Sequence, residues 1–235
     1  MNNILVSARS LTKTYQHITA LNNINLEIGS GKIVGLLGPN GSGKTTFIKL
    51  LCGLLQPTSG MLTVDGKSIG TQTKSVISYL PDRMFIADWF KACDLMEFFA
   101  DFYSDFDKNK AIEMLAALGI APNDKIKTMS KGTKEKIQLA MIMSRKAKLY
   151  LLDEPIAGVD PAARDFILNT ILTNYNEEGT VIISTHLISD IERVLDEAIF
   201  LQNGNIVRYD TVDNIREQEG KSVDQLFREI FAYGM

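Results

Sequence analysis

Gly38-Pro39-Asn40-Gly41-Ser42-Gly43-Lys44-Thr45 has the spacing of a phosphate-binding loop, with a glycine, four residues, and then Gly-Lys-Ser/Thr. A short apolar strand over Ile33 to Leu37 leads into it and an apolar helix starting near Ser42 leads out, which is the context the loop requires. Glycine lets backbone N–H groups close around phosphate oxygens, and the helix N-terminus adds positive potential. Lys44 would reach the β and γ phosphates of a nucleoside triphosphate, and Thr45 would offer a hydroxyl to Mg²⁺. A second constellation follows in Leu149-Tyr150-Leu151-Leu152-Asp153-Glu154-Pro155, a buried strand that ends in two carboxylates. At the carboxyl end of a parallel strand the pair faces the crevice where open α/β sheets bind ligands. There Asp153 would hold Mg²⁺ through water, and Glu154 would polarise the water that attacks the γ phosphate. Thr180 to His186 repeats the design, with His186 at the mouth of a β-branched strand. The other histidine, His17, has no chemical companions nearby and is read as surface.

Positioning these groups requires a parallel sheet. Ile33 to Leu37, Leu149 to Leu152, Val181 to Ser184 and Ala198 to Leu201 are short apolar runs that alternate with helical patterns, as in an α/β protein. Asn25 to Ile28 and Leu62 to Lys67 alternate in period two and end at glycine, as half-exposed antiparallel strands do, so an antiparallel piece should pack beside the parallel core. Between residues 82 and 148 the strand signal gives way to helical periodicity over Leu95 to Phe102, Lys110 to Leu118 and Lys134 to Ser144. The expected organisation is one domain. Residues 1–81 and 149–215 form the core, 82–148 an inserted helical part, and 216–235 a C-terminal helix. Val223, Leu226, Phe227, Ile230 and Phe231 give that helix one apolar face, to pack on the domain or on a partner.

Composition narrows the class further. With 235 residues and 45% hydrophobic residues the chain can bury a full core without a disulfide or metal staple. Its 25 basic and 28 acidic residues are interspersed and give no basic footprint for nucleic acid. No apolar run approaches the ~20 residues that span a bilayer, and Met1-Asn2-Asn3 lacks a signal-peptide layout, so a cytosolic chain is expected. Cys52 and Cys93 lie among apolar neighbours without pairing or metal-ligand spacing, and read as reduced structural residues.

Thr128-Met129-Ser130-Lys131-Gly132-Thr133-Lys134-Glu135-Lys136 precedes the carboxylate strand by some twenty residues. With this segment the set resembles the nucleotide-binding subunit of an ATP-binding-cassette (ABC) transporter, over about residues 4 to 215. Within that family it looks most like the subunits of bacterial exporters of peptide antibiotics, bacitracin-like compounds and other drugs. The resemblance implies a P-loop NTPase core with a mostly parallel sheet, an N-terminal antiparallel β subdomain and an inserted helical subdomain. It also implies residue roles. Tyr15 matches the aromatic that stacks on adenine, and Gly38, Pro39, Asn40, Gly41, Ser42, Gly43, Lys44, Thr45 and Thr46 match the phosphate loop. Asp153 and Glu154 match the magnesium aspartate and catalytic glutamate, and His186 the histidine at the γ phosphate. Asp160 matches the loop that communicates across a dimer, and Ser130 and Gly132 match the signature that binds ATP held by the other subunit.

Two departures stand out. In Tyr79-Leu80-Pro81-Asp82 the family's usual glutamine is an aspartate, and a carboxylate there could still hold a magnesium-bound water. In the signature, the usual Ser-Gly-Gly-Gln is Ser130-Lys131-Gly132-Thr133, which raises the idea of a heterodimer with two unequal sites. The resemblance implies ATP and Mg²⁺ as ligands and a second ABC ATPase subunit as partner. It also implies an integral membrane permease subunit, with this chain peripheral on the cytoplasmic face of the cell membrane. Met84, Phe85, Ile86, Trp89 and Phe90 suit either a dock for that subunit or local core, while Leu95, Met96, Phe98, Phe99 and Phe102 favour core. A soluble ABC ATPase driving a cytosolic assembly is the competing reading, since the same engine serves both.

Overall fold

A computed structural model of the chain describes residues 3–232. Met1 and Asn2, part of the N-terminal reading above, and residues 233–235 of the expected terminal helix lie outside the described residues. In chain order the strands are β1 (Ile4–Tyr15), β2 (Ile18–Gly29), β3 (Ile33–Leu37), β4 (Ser59–Val64), β5 (Lys67–Ser68), β6 (Ile77–Leu80), β7 (Leu149–Asp153), β8 (Thr180–Thr185), β9 (Glu197–Gln202) and β10 (Asn205–Thr211). The α-helices are α1 (Lys44–Leu51), α2 (Thr71–Lys74), α3 (Ala92–Phe102), α4 (Lys108–Ala117), α5 (Lys131–Met143), α6 (Pro161–Asn174), α7 (Ile188–Ile191), α8 (Val212–Glu219) and α9 (Val223–Ala232).

One sheet has the order β10-β9-β3-β8-β7-β6, parallel throughout except for the antiparallel edge strand β10. Its central strands are buried on both faces and mostly apolar, with Asp153, Ser184 and Thr185 as buried polar residues at their carboxyl ends, and alternation decides which core each apolar residue joins. Val34, Leu36, Leu149 and Leu151 face α1, while Ile33, Leu37, Tyr150 and Leu152 face the helices on the other side. A second sheet, β2-β1-β4-β5, is antiparallel and closes over Phe47, Ile48 and Leu51 of α1, so that helix lies between two sheets. The expected α/β class, with an antiparallel piece and an inserted run of helices between β6 and β7, is the one observed.

The structure corrects two element readings. Leu62 to Lys67 is not one strand: β4 ends at Val64 and a hairpin turns at Asp65 and Gly66, both left-handed with φ of 53° and 70°. The single C-terminal helix is broken at Gly220, whose φ of 64° ends α8, and Ser222 then opens α9 through its Oγ and the Gln225 N–H at 3.1 Å. The apolar face of α9 packs on the domain itself, with Val223 and Leu226 in the core and Phe227, Ile230 and Phe231 against it. Cys52 is buried, and burial pushes its thiol up to about 12, so it behaves as a small apolar residue.

Four loops that carry candidate groups emerge from the carboxyl ends of β3, β6, β7 and β8. The neighbours of β3 on either side, β8 and β9, both come later in the chain, so the connections from β3 leave a crevice at its carboxyl end.

Candidate functional site

The loop after β3 is shaped by close approach. A Cβ on Gly43, whose φ is 113°, would meet the Ala20 carbonyl at 2.5 Å, and one on Gly38 would meet the Leu201 carbonyl at 2.3 Å. Only glycine fits at both. α1 then starts at Lys44, and its first-turn N–H groups have no carbonyl one turn back to bond, so they are free for an anion. The buried Lys44 ammonium folds back over the loop and donates to the carbonyls of Gly38 at 2.7 Å and Pro39 at 3.2 Å. It also stands 3.4 Å from Glu154 Oε1. A cleft of about 270 Å³ is lined by Ala20, Asn40, Gly41, Ser42, Gly43, Lys44, Thr45, Thr46, Asp82 and Glu154. The phosphate loop, the substituted aspartate and the glutamate therefore share one opening.

Asp153 sits at the end of β7 and is 1% exposed. Its Oδ1 accepts from Ser184 Oγ at 2.6 Å and from Thr45 Oγ1 at 3.1 Å, while Oδ2 is buried with no partner. Burial raises the Asp153 pKa, and the negative charges of Asp82 and Glu154 raise it further. A buried, unpartnered carboxylate oxygen is costly, and an oxygen-seeking divalent cation beside Thr45 would satisfy it. The residues present therefore fit Mg²⁺.

Glu154 follows with a φ of 51°, a left-handed conformation that a glutamate rarely adopts. Its N–H donates to the Ser184 carbonyl at 3.0 Å and to Ser184 Oγ at 3.1 Å, which holds the strained backbone in place. The turn aims the carboxylate back at the cleft, where both its oxygens lie 3.1 and 3.2 Å from His186 Nδ1. The Glu154 carboxylate thus touches both the Lys44 ammonium and the His186 imidazole at the mouth of the phosphate loop. Such a group can neutralise phosphate charge and take a proton from water.

The remaining candidates stand apart from this cluster. Tyr15 ends β1, is 41% exposed, and has the Lys13 ammonium 5.0 Å from its ring centroid. Ser130 caps α5 by accepting from the Thr133 N–H at 3.1 Å, and a side chain at Gly132 would meet open space. Asp160 caps α6 by accepting from the Ala163 N–H at 3.1 Å. None of these four lines the phosphate cleft. Ser184 escapes a reading of the sequence because its contact depends on the pairing of Asp153 with Ser184 between β7 and β8. The available signal is a lone serine inside a β-branched strand.

A profile of the ABC transporter family matches residues 21–157. The lantibiotic transport ATP-binding protein SrtF of Streptococcus pyogenes is 31% identical, over 91% of this chain and 95% of its own length. The linearmycin resistance ATP-binding protein LnrL of Bacillus subtilis is also 31% identical, over 92% of this chain and 72% of its own. A solved ATP-binding subunit of an ABC transporter superposes with a TM-score of 0.85 at 26% identity, over 96% of this chain and 99% of that one. With a phosphate loop and paired carboxylates built as described, the chain belongs to the ABC transporter family and is an ATPase of that family.

Proposed function

We propose that this ATPase drives export of a peptide, antibiotic or drug through a separate membrane-spanning subunit, working as one half of a dimer that closes on ATP. The contacts of Glu154 with both Lys44 and His186, beside the unpartnered Asp153 oxygen, are the observation that carries the reading. Lys44 would leave its loop carbonyls for the β and γ phosphates, Tyr15 would stack on adenine, and the loop N–H groups would hold the phosphates in line. Glu154 would take the proton from the attacking water, and His186 would hold Glu154 and the γ phosphate in register. Asp153 and Thr45, with Asp82 through water, would hold Mg²⁺, which when bound neutralises phosphate charge. Ser130 and Gly132 are exposed and line no part of the phosphate cleft, so they would meet the nucleotide of a second subunit, with Asp160 at the seam. Closure would expel water and strengthen every charge contact in the site.

Among the described residues no helix is long and apolar enough to cross a membrane. In this proposal the membrane path belongs to a partner subunit, which would hold this chain on the cytoplasmic face. The loop between β6 and α3 offers a place for it. Trp89 is 82% exposed, and Met84, Phe85, Phe98 and Phe102 are exposed near it, while Ile86, Leu95, Met96 and Phe99 are core. The aromatics form a chain of tilted pairs, with ring centroids 5.9 Å apart for Trp89 and Phe90, 5.5 Å for Phe90 and Phe98, and 4.6 Å for Phe98 and Phe102. Exposed aromatics of this kind are enriched at interface cores. The names of SrtF and LnrL, one in lantibiotic transport and one in linearmycin resistance, support export of an antibiotic-like cargo.

The test is recovery of the tagged chain from detergent-solubilised native membranes. A multi-spanning protein at near-equal amount is expected with the wild type, and Trp89→Ala is expected to lose it while keeping ATP affinity. Recovery of soluble partners alone, with the chain absent from membranes, would replace export with a cytosolic assembly role.

A further inference from the structure

Two loops leave the site in parallel. One runs from Glu154 to Asp160 and enters α6; the other runs from His186 into α7. At the site they touch through Glu154 and His186 at 3.1 Å. At their far ends a single guanidinium joins them. Arg164, on the first turn of α6, donates through Nε to the Val159 carbonyl at 2.8 Å and through Nη1 to Asp190 Oδ2, also at 2.8 Å. Val159 precedes Asp160, and Asp190 lies in α7, four residues after His186. The contacts close a ring from Glu154 along the chain to Val159, across Arg164 to Asp190, and back through His186.

Between Glu154 and Asp160 the side chain of Ile156 is buried in the core. The hydrogen bonds that fold the backbone there are local, from the Ala157 N–H to the Glu154 carbonyl at 3.1 Å and from the Val159 N–H to the Ile156 carbonyl at 3.4 Å. α7 is anchored by Ile188 and Ile191 in the core. The first loop is anchored in the same core by Ile156, so Arg164 is the side-chain tie between the far ends of two anchored loops. The planar fork fixes direction as well as distance, and charge-assisted bonds at a half-buried site are stronger than neutral ones.

We infer that Arg164 is a positioning residue for hydrolysis: it sets the separation of the Glu154 and His186 loops, so that movement of Asp160 is felt at His186. The inference rests on the hydrolytic roles proposed above for Glu154 and His186. A built-in control exists, because Arg193 Nη2 lies 2.7 Å from Asp165 Oδ1 and joins α6 to the turn after α7 without reaching the Asp160 loop. Both those side chains are well exposed.

Four variants test it by steady-state ATP hydrolysis: Arg164→Met, Asp190→Ala, their double variant, and Arg193→Met. Arg164→Met and Asp190→Ala are each expected to lower kcat about tenfold with KM for ATP within about twofold, as small misplacements of reacting groups do. The double variant should be no slower than the slower single, since both remove one tie, and Arg193→Met should match the wild type. Arg164→Lys, which keeps the charge without the fork, should also stay slow and serves where Arg164→Met unfolds. Wild-type kcat in Arg164→Met and Arg164→Lys, a fully additive double variant, or an equal loss in Arg193→Met would overturn the inference. If Glu154→Gln hydrolyses ATP within threefold of the wild-type rate, the reading beneath it fails instead.

Discussion

Glu154→Gln is expected to lower kcat for ATP hydrolysis by about 10³-fold, within the range general bases supply, while ATP binding persists. Glutamine matches the shape of glutamate and leaves the backbone anchors unchanged, because the bonds to Ser184 come from the residue 154 N–H. Lys44 keeps its two loop carbonyls and remains available to phosphate. What disappears is the one carboxylate that touches both Lys44 and His186. Single-turnover hydrolysis with titrated ATP separates the two effects. Hydrolysis within threefold of the wild type would remove Glu154 from the role of base.

Arg145→Met is expected to cost about 3–5 kcal/mol of folding stability, as loss of one partner of a buried ion pair does. Arg145 is 2% exposed at the end of α5. Its Nε and Nη2 bond the two oxygens of Asp105 at 2.9 and 3.0 Å, Nη2 also reaches the Ser75 carbonyl at 2.8 Å, and Nη1 bonds the Ile77 carbonyl. The guanidinium carbon lies 3.8 Å from the centroid of Tyr103. One side chain thereby ties the inserted helices to the strand that leads to Asp82. Methionine fills the volume but leaves a carboxylate and two carbonyls unpaired. Urea unfolding should show a lower midpoint; a change below about 1 kcal/mol would mean that water or neighbours replace the pair.

What the sequence disclosed follows from how local each feature is. The phosphate loop was legible because glycine spacing and the strand-loop-helix context lie within fifteen residues. β3, β7 and β8 were legible because burial on both faces leaves unbroken apolar runs. β1 was not, since its pairing with β2 shifts register between Ala8 and Leu11 and again between Leu11 and Lys13, which destroys period-two alternation. The terminal helix break at Gly220 was legible in principle, and the strong apolar face beyond it concealed it. Arg145 and Arg164 were invisible because their partners are set by packing: those of Arg145 lie some forty to seventy residues away, and Asp190 lies 26 from Arg164. The sequence ranked Asp153, Glu154 and His186 as candidates, yet the unpartnered Asp153 oxygen and the left-handed Glu154 backbone emerge only from the fold.

In the proposed mechanism ATP joins two copies of this cassette, or this cassette and an unequal relative, across Ser130, Gly132 and Asp160. Light scattering of Glu154→Gln, alone and with a second cassette recovered from the same membranes, tests it most directly. The account predicts a rise to twice the protomer mass with Mg²⁺ and ATP, reversed when the nucleotide is removed. A mass that stays at one protomer at every concentration, with either partner, would contradict it.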